Sequence, residues 1–280
     1  VAVTVFGGTG FVGSEFVSIQ HSFNLVSRDN YECPSDNVVY FISTVDNYNI
    51  FTDPLLDINT NLVTLVKVLE NYRKVYNGGC FNLISSWFVY GKDSGYGDLA
   101  RGVSEDTECD PKGFYSITKR AAEQLLICYC ETYNLNYRIL RLANVLGPGD
   151  KKVSKKKNAF QYMINEVKEN RPIELYDGGL LYRDFIHVKD CARAIDLVIN
   201  KGNQNEIYNI GNGTPIDIRE WVYYAKNKVS STSKITNIPQ KDFHKTVQTS
   251  RSFFMDTTKL KNLGYSAKYS MADIVDELTS

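Results

Sequence analysis

Through about residue 145 the chain alternates short, almost wholly apolar runs with segments whose apolar residues recur every three or four positions. The runs "VAVTVF", "NLVS", "NVVYFIS", "CFNLIS" and "YRILRLA" predict β-strands buried on both faces. The intervening periodicity predicts helices over residues 14–20, from Asp53 onward, and over about residues 114–133. In the second of these, Asp53 is the expected N-cap and Pro54 the first helical residue. Apolar spacing then runs through Leu56, Leu62, Leu65, Val66 and Leu69 until Asn77, Gly78 and Gly79 end it. Strands this apolar, separated by helices, predict an α/β fold: a doubly wound parallel sheet with right-handed crossovers.

Past "GPGD" the elements become shorter. The pattern predicts a helix near residues 158–170, the strand "IELY", a turn at Asp177, Gly178 and Gly179, and the strand "RDFIHV". Asp190 is expected to begin a helix closed by Gly202, "IYNIGNG" to form a strand and turn, and Asp217 with Glu220 to cap a final helix. No repeat or low-complexity linker interrupts the chain. Two units are therefore expected: residues 1–145 with 186–210, and a smaller α/β substrate-binding unit of residues 146–185 with 211–280. The cleft between them is the default ligand site.

Composition narrows the partners. With 43% hydrophobic and 23% charged residues among 280, the chain can bury a large core and is neither disordered nor fibrous. Lys plus Arg equals Asp plus Glu at 32 each, so no global field recruits nucleic acid or anionic membrane. Only "DKKVSKKK", residues 150–157, is locally basic, and it reads as a solvated loop. Six cysteines without a CxxC pair, and only three histidines, suggest a reduced, cytoplasmic chain without a metal site. The apolar runs are too short to span a membrane, and none has the flanks of a signal peptide.

Directly behind the first strand stands "GGTGFVG". Gly7 suits a tight turn, Gly10 lets the backbone approach a pyrophosphate, and Gly13 permits close helix packing; the backbone around Thr9, Phe11 and Val12 completes a helix N-terminus that favours anions. NAD or NADP is the cofactor this pattern suggests. The end of the next strand chooses between them: Asp29 would bind the ribose hydroxyls of NAD, whereas Arg28 would pair with the extra phosphate of NADP. Only about ten residues separate that strand from "NVVYFIS", so the adenine end is expected to be abbreviated and open. Farther on, "YSITK" sets Tyr115 and Lys119 on one helix face. A phenol, with a reference pKa near 10, is a poor base at neutral pH, but an adjacent ammonium and an oxidised nicotinamide would favour phenolate. Ser85 and Ser86 close a strand on the side of the sheet where ligands bind.

Together, "GGTGFVG", "SSWFVYG", "YSITK", "RLANVLGPG", "YRDFIHVKD" and "YNIGNG" resemble the extended short-chain dehydrogenase/reductase family with its Rossmann fold. Within it they resemble the NAD-dependent epimerase/dehydratase group acting on nucleotide sugars. The resemblance implies Ser86 as the catalytic hydroxyl, Tyr115 as acid/base and Lys119 as the ribose-binding residue that lowers the tyrosine pKa. It places Ser43, Thr44 and Asn59 along the cofactor, Asn144 and Arg183 on the substrate diphosphate, and Trp87 and Phe88 beside the sugar. These two aromatics stand where the 4,6-dehydratases of the group carry an Asp-Glu pair, which disfavours dehydration. The expected function is epimerisation by reversible hydride transfer at C4 of a nucleotide sugar. The alternative is an NADPH-dependent 4-ketoreductase, with a non-catalytic dinucleotide-binding protein behind it, and the resemblance also suggests a homodimer.

Overall fold

The computed structural model describes residues 2–91, 102–151, 153–239 and 252–280; Lys152 of the basic run lies outside them. Its central sheet is built from β1 (Val3–Phe6), β2 (Phe23–Val26), β3 (Asn37–Tyr40), β4 (Cys80–Ser86), β5 (Tyr137–Leu142) and β10 (Glu206–Ile210). Every pairing in it is parallel, in the order β10-β5-β4-β3-β1-β2. The chain thus moves outward from β1 to β2 and returns to the other side of β1 as β3. That reversal opens a crevice beyond the strands' C-terminal ends, where α/β sheets bind ligands. The edge strand is β2, and its Leu25 is 46% exposed.

Alternation along β3 explains the two covered faces. Val38 and Tyr40 pack with Phe81, Leu83 and Ile139 beneath α3 (Thr64–Val75) and α4 (Phe114–Tyr133). Val39 points the other way, toward the side covered by α1 (Phe11–Ser18) and α6 (Val188–Lys201). Full burial of each large apolar side chain contributes about 1.5–3 kcal/mol. Leu65, Val68 and Leu69 of α3, all fully buried, recur at helical spacing and hold that helix on the sheet.

A third core lies outside the sheet. It joins β6 (Asn144–Leu146) and β9 (Phe185–His187), which pair in parallel, to α5 (Ala159–Lys168), β7 (Ile173–Tyr176), α7 (Ile218–Lys228) and α9 (Met271–Thr279). Of the remaining elements, β8 (Tyr182–Arg183) pairs with β11 (Ile216–Asp217), and β12 (Ile235–Ile238) with β7. Phe253, Met255 and Leu260, the last in α8 (Thr258–Asn262), pack back into the core of the main sheet.

Several local expectations are refined. The helix begun by Asp53 is α2 (Pro54–Ile58), followed by one π-helical stretch, Asn59–Val63, before α3. The helix expected from Asp190 begins at Val188, with the His187 ring as its cap. Asp190 is instead buried, accepting the N–H groups of Lys268 and Tyr269. Asp217 does cap α7, accepting from Arg219 and Glu220, and a reciprocal capping box unread in the sequence joins Ser270 to Asp273 at α9.

Candidate active site

At the crevice, Gly7 adopts a left-handed φ of +74° and its carbonyl accepts the Gly10 N–H at 3.1 Å. A Cβ on Gly13 would stand 2.5 Å from that same carbonyl oxygen, so only glycine lets α1 pack this closely. The first bond of the α1 ladder runs from Ser14 N–H to Gly10 O, and Gly10 offers no side chain to cap the N–H groups ahead of it. Those of Phe11, Val12 and Gly13 therefore stand ahead of the ladder beside the exposed Thr9 and Gly10. The turn fits the pyrophosphate of a dinucleotide. Arg28 and Asp29 lie past the end of β2, both exposed, with Asp29 at φ +65°, and neither is committed to the crevice.

Tyr115 sits in the first turn of α4, only 8% exposed. Ser86, at the end of β4, and Ser43, just beyond β3, are the hydroxyl groups that act on its phenol. Ser86 also accepts the Phe88 N–H at 3.3 Å, which anchors the 3₁₀ turn Trp87–Tyr90. Burial pushes the phenol above its ordinary value, and the Asp57 carboxylate adds to that; the serine hydroxyls offset only part. Lys119, 2% exposed, donates to the Ile84 carbonyl at 2.7 Å. Burial brings its ammonium down to about 8 against the pull of Glu123.

One helical turn on, Glu123 fixes α4 to the sheet. It receives Arg141 of β5 through two bonds at 3.0 and 2.9 Å, Ser85 at 2.6 Å and Arg120 at 2.9 Å. Ser85 is thus a support for the helix, while its neighbour Ser86 faces Tyr115. Arg141 also stacks over the Tyr90 ring at 4.7 Å. This buried network has no signature in spacing alone, because its members lie on three separate elements.

On the cofactor side, Asn59 is exposed, and the inward asparagine is Asn61. Its Oδ1 accepts from the Ser43 hydroxyl (3.1 Å) and the Thr44 N–H (3.0 Å), and its Nδ2 donates to Thr44 Oγ1 (2.9 Å) and Thr118 Oγ1 (3.0 Å). The two asparagines stand two residues apart on the π-helical stretch and face opposite ways, Asn59 outward and Asn61 inward.

The substrate side is aromatic. Trp87 stacks on Phe88 at 4.1 Å and on Phe253 at 4.6 Å, and Phe88 meets Tyr115 edge-on at 6.0 Å. Phe253 was not foreseen, since about 165 residues separate it from Trp87. The Arg183 guanidinium lies 5.7 Å from the Trp87 ring and donates to the Tyr182 carbonyl at 2.9 Å. Asn144 donates to the Asp184 carbonyl at 3.1 Å. The Asp184 carboxylate is occupied by the N–H groups of Met255, Asn212 and Gly213. Burial nonetheless pushes it up to about 6. The described residues thus gather Ser43, Ser86 and Tyr115 at one point, with Trp87, Phe88 and Arg183 on one flank and the glycine turn at the same sheet edge.

Known proteins share this fold. The low-salt glycan biosynthesis protein Agl12 of Haloferax volcanii is 25% identical over 97% of this chain and 95% of its own. The UDP-glucose 4-epimerase of Thermotoga maritima, solved with UDP-glucose, superposes with a TM-score of 0.84 at 22% identity, over all of this chain and 97% of that one. RMD from Pseudomonas aeruginosa, solved with NADPH, gives 0.83 at 21% identity, over 99% and 97%. The sequence profile of the NAD-dependent epimerase/dehydratase family matches residues 31–211. That match spans more than half of the chain, and this chain belongs to the NAD-dependent epimerase/dehydratase family.

Proposed function

We propose that the protein is a nucleotide-sugar epimerase that works at C4 of the sugar, with Tyr115 as acid/base. The observation that carries this reading is the meeting of Tyr115 with Ser86 beneath the aromatic pair Trp87 and Phe88. Tyr115 would move the proton at the sugar oxygen, and Ser86 would hydrogen-bond that oxygen as its charge develops. NAD or NADP, when bound on the glycine turn with Lys119 and the Ser43–Thr44 segment, supplies hydride exchange with the sugar carbon. Trp87 and Phe88 exclude water and cannot transfer protons, so elimination has no acid or base beside Ser86. Arg183 and Asn144 would hold the diphosphate, the guanidinium by its planar fork.

A second reading, an NADPH-dependent 4-ketoreductase, is favoured by one observation: the phenol is held in its protonated form, which suits donation to a ketone oxygen. A panel of nucleotide sugars, with product stereochemistry read by NMR with and without NADPH, separates the two. Inversion at C4 without added reductant supports the epimerase, and consumption of NADPH the reductase.

We also propose a homodimer paired through α2, α3 and α4. Leu55 and Leu56 of α2, Val63 of the π-helical stretch and Val66 of α3 are exposed, as are Ile117, Leu125 and Tyr133 of α4. An apolar stripe of this kind on a surface is a docking face for another apolar stripe. Val66→Glu should shift the sedimentation coefficient to that of a monomer; an unchanged value excludes this interface.

A further inference from the structure

Glu123 of α4 is fully buried, and hydrogen-bond donors fill both oxygens of its carboxylate. Oε1 takes Ser85 Oγ at 2.6 Å and Arg141 Nε at 3.0 Å, while Oε2 takes Arg141 Nη2 and Arg120 Nη1, each at 2.9 Å. A carboxylate filled in this way cannot turn without breaking a bond. As counter-ion of the buried Arg141, however, it needs only the two-pronged contact with that guanidinium. The bond from Ser85 adds nothing to charge balance.

What that bond does follows from where it lands. Lys119 and Glu123 stand one helical turn apart on α4 and meet consecutive residues of β4: Lys119 Nζ donates to the Ile84 carbonyl at 2.7 Å, and Glu123 accepts from the Ser85 hydroxyl. One helix thus grips the strand at two successive residues, and the residue that follows is Ser86. Tyr115 lies one turn before Lys119 on the same helix. The alternation of β4 singles out the hydroxyl as well. Phe81 and Leu83, on the face that Ser85 shares, are apolar and pack in the core with Ala122 and Leu126 of α4. A third apolar side chain would continue that packing, whereas a serine there gives up contact area for one bond.

We propose that Glu123 is a positioning residue: through Ser85 on one side and its own helix on the other, it holds Ser86, Tyr115 and Lys119 in register. Arg141 anchors the device from β5. Its Nη1 also donates to the Glu105 carbonyl at 3.2 Å, and its guanidinium lies over the ring of Tyr90, which ends the turn that follows Ser86. The inference rests on the roles proposed for Ser86, Tyr115 and Lys119, for which it supplies the frame.

Ser85→Ala tests it, because this variant leaves both guanidinia on Glu123 and removes only the grip on β4. Turnover is counted per cofactor-loaded site, so that a smaller folded fraction does not enter the result. It should fall at least about tenfold, within the 10²-fold that a misplacement of about 1 Å can cost, with the KM for the nucleotide sugar unchanged. Ser85→Thr, which restores the hydroxyl, should recover most of the loss. Unchanged turnover in Ser85→Ala, a loss carried by KM, or a loss that Ser85→Thr does not repair overturns the proposal. Should Ser85→Ala fail to fold, Ser85→Cys offers Glu123 a much weaker donor and must show the same loss. Failure of the acid/base reading is distinguishable, because it appears as near-native turnover in Tyr115→Phe whatever the Ser85 variants do. If no nucleotide sugar is converted, the proposed function fails by itself and the NAD(P) dissociation constant decides the inference. It should then be about threefold higher in Ser85→Ala, the low end for one weakened hydrogen bond, and an unchanged constant overturns the positioning of Lys119.

Discussion

The two flanks of Tyr115 are built from opposite materials. Toward the cofactor crevice lie Ser43, Thr44, Asn49, Asp57, Asn61 and Thr118, joined by hydrogen bonds in which almost every polar atom has an assigned role. Toward the substrate lie the stacked rings of Trp87, Phe88 and Phe253 with one guanidinium over them. A buried polar network specifies charge and orientation, because each misplaced donor costs its desolvation. An aromatic wall specifies shape and dryness while taking no part in proton transfer. In the proposed mechanism, acid/base chemistry is confined to the one phenol that stands between these flanks.

The largest expected effect falls on the residue the flanks share. Tyr115→Phe should leave the fold and cofactor binding nearly intact while lowering turnover by at least about 10²-fold, the lower end for a general acid/base. Near-native turnover would remove Tyr115 from the chemistry. Next comes the substrate flank: Arg183→Ala should weaken nucleotide-sugar binding by about 2–5 kcal/mol, the range for truncating one partner of a buried charge pair. Isothermal titration should find NAD(P) affinity unchanged, and Arg183→Lys should rescue only partly because it loses the planar fork. A matching loss of cofactor affinity would mean the two flanks are not separate.

The smallest effect belongs to the cofactor flank. Lys119 titrates at about 8 in the fold, below its ordinary 10.5. Between these values the unfolded chain binds a proton that the folded chain does not, so stability rises with pH across the window. The cost of burying the lysine therefore builds as pH falls from 10.5 and is complete by about 8. Lys119→Met should flatten this component in denaturant titrations at several pH values and weaken cofactor binding as well. A slope that persists in the variant would assign it to another group.

Much of this was legible in the residues. The sheet, the glycine turn and the Tyr115–Lys119 spacing follow from periodicities of two and 3.6 together with the backbone freedom of Gly7 and Gly13. What escaped depends on geometry that spacing does not encode. Asn61 faces inward where Asn59 was expected, and long-range packing brings Phe253 onto Trp87. Lys119 shares a helix face with Tyr115, yet its ammonium goes to a backbone carbonyl on β4.

The central claim is that hydride leaves and returns at one sugar carbon under the control of Tyr115. A nucleotide sugar carrying deuterium at C4, converted by the enzyme and read by NMR, tests it most directly. The account predicts a C4-inverted product that keeps its deuterium, and no such product from Tyr115→Phe over the same period. Deuterium lost to water, or a product that has lost its C6 oxygen, would contradict it.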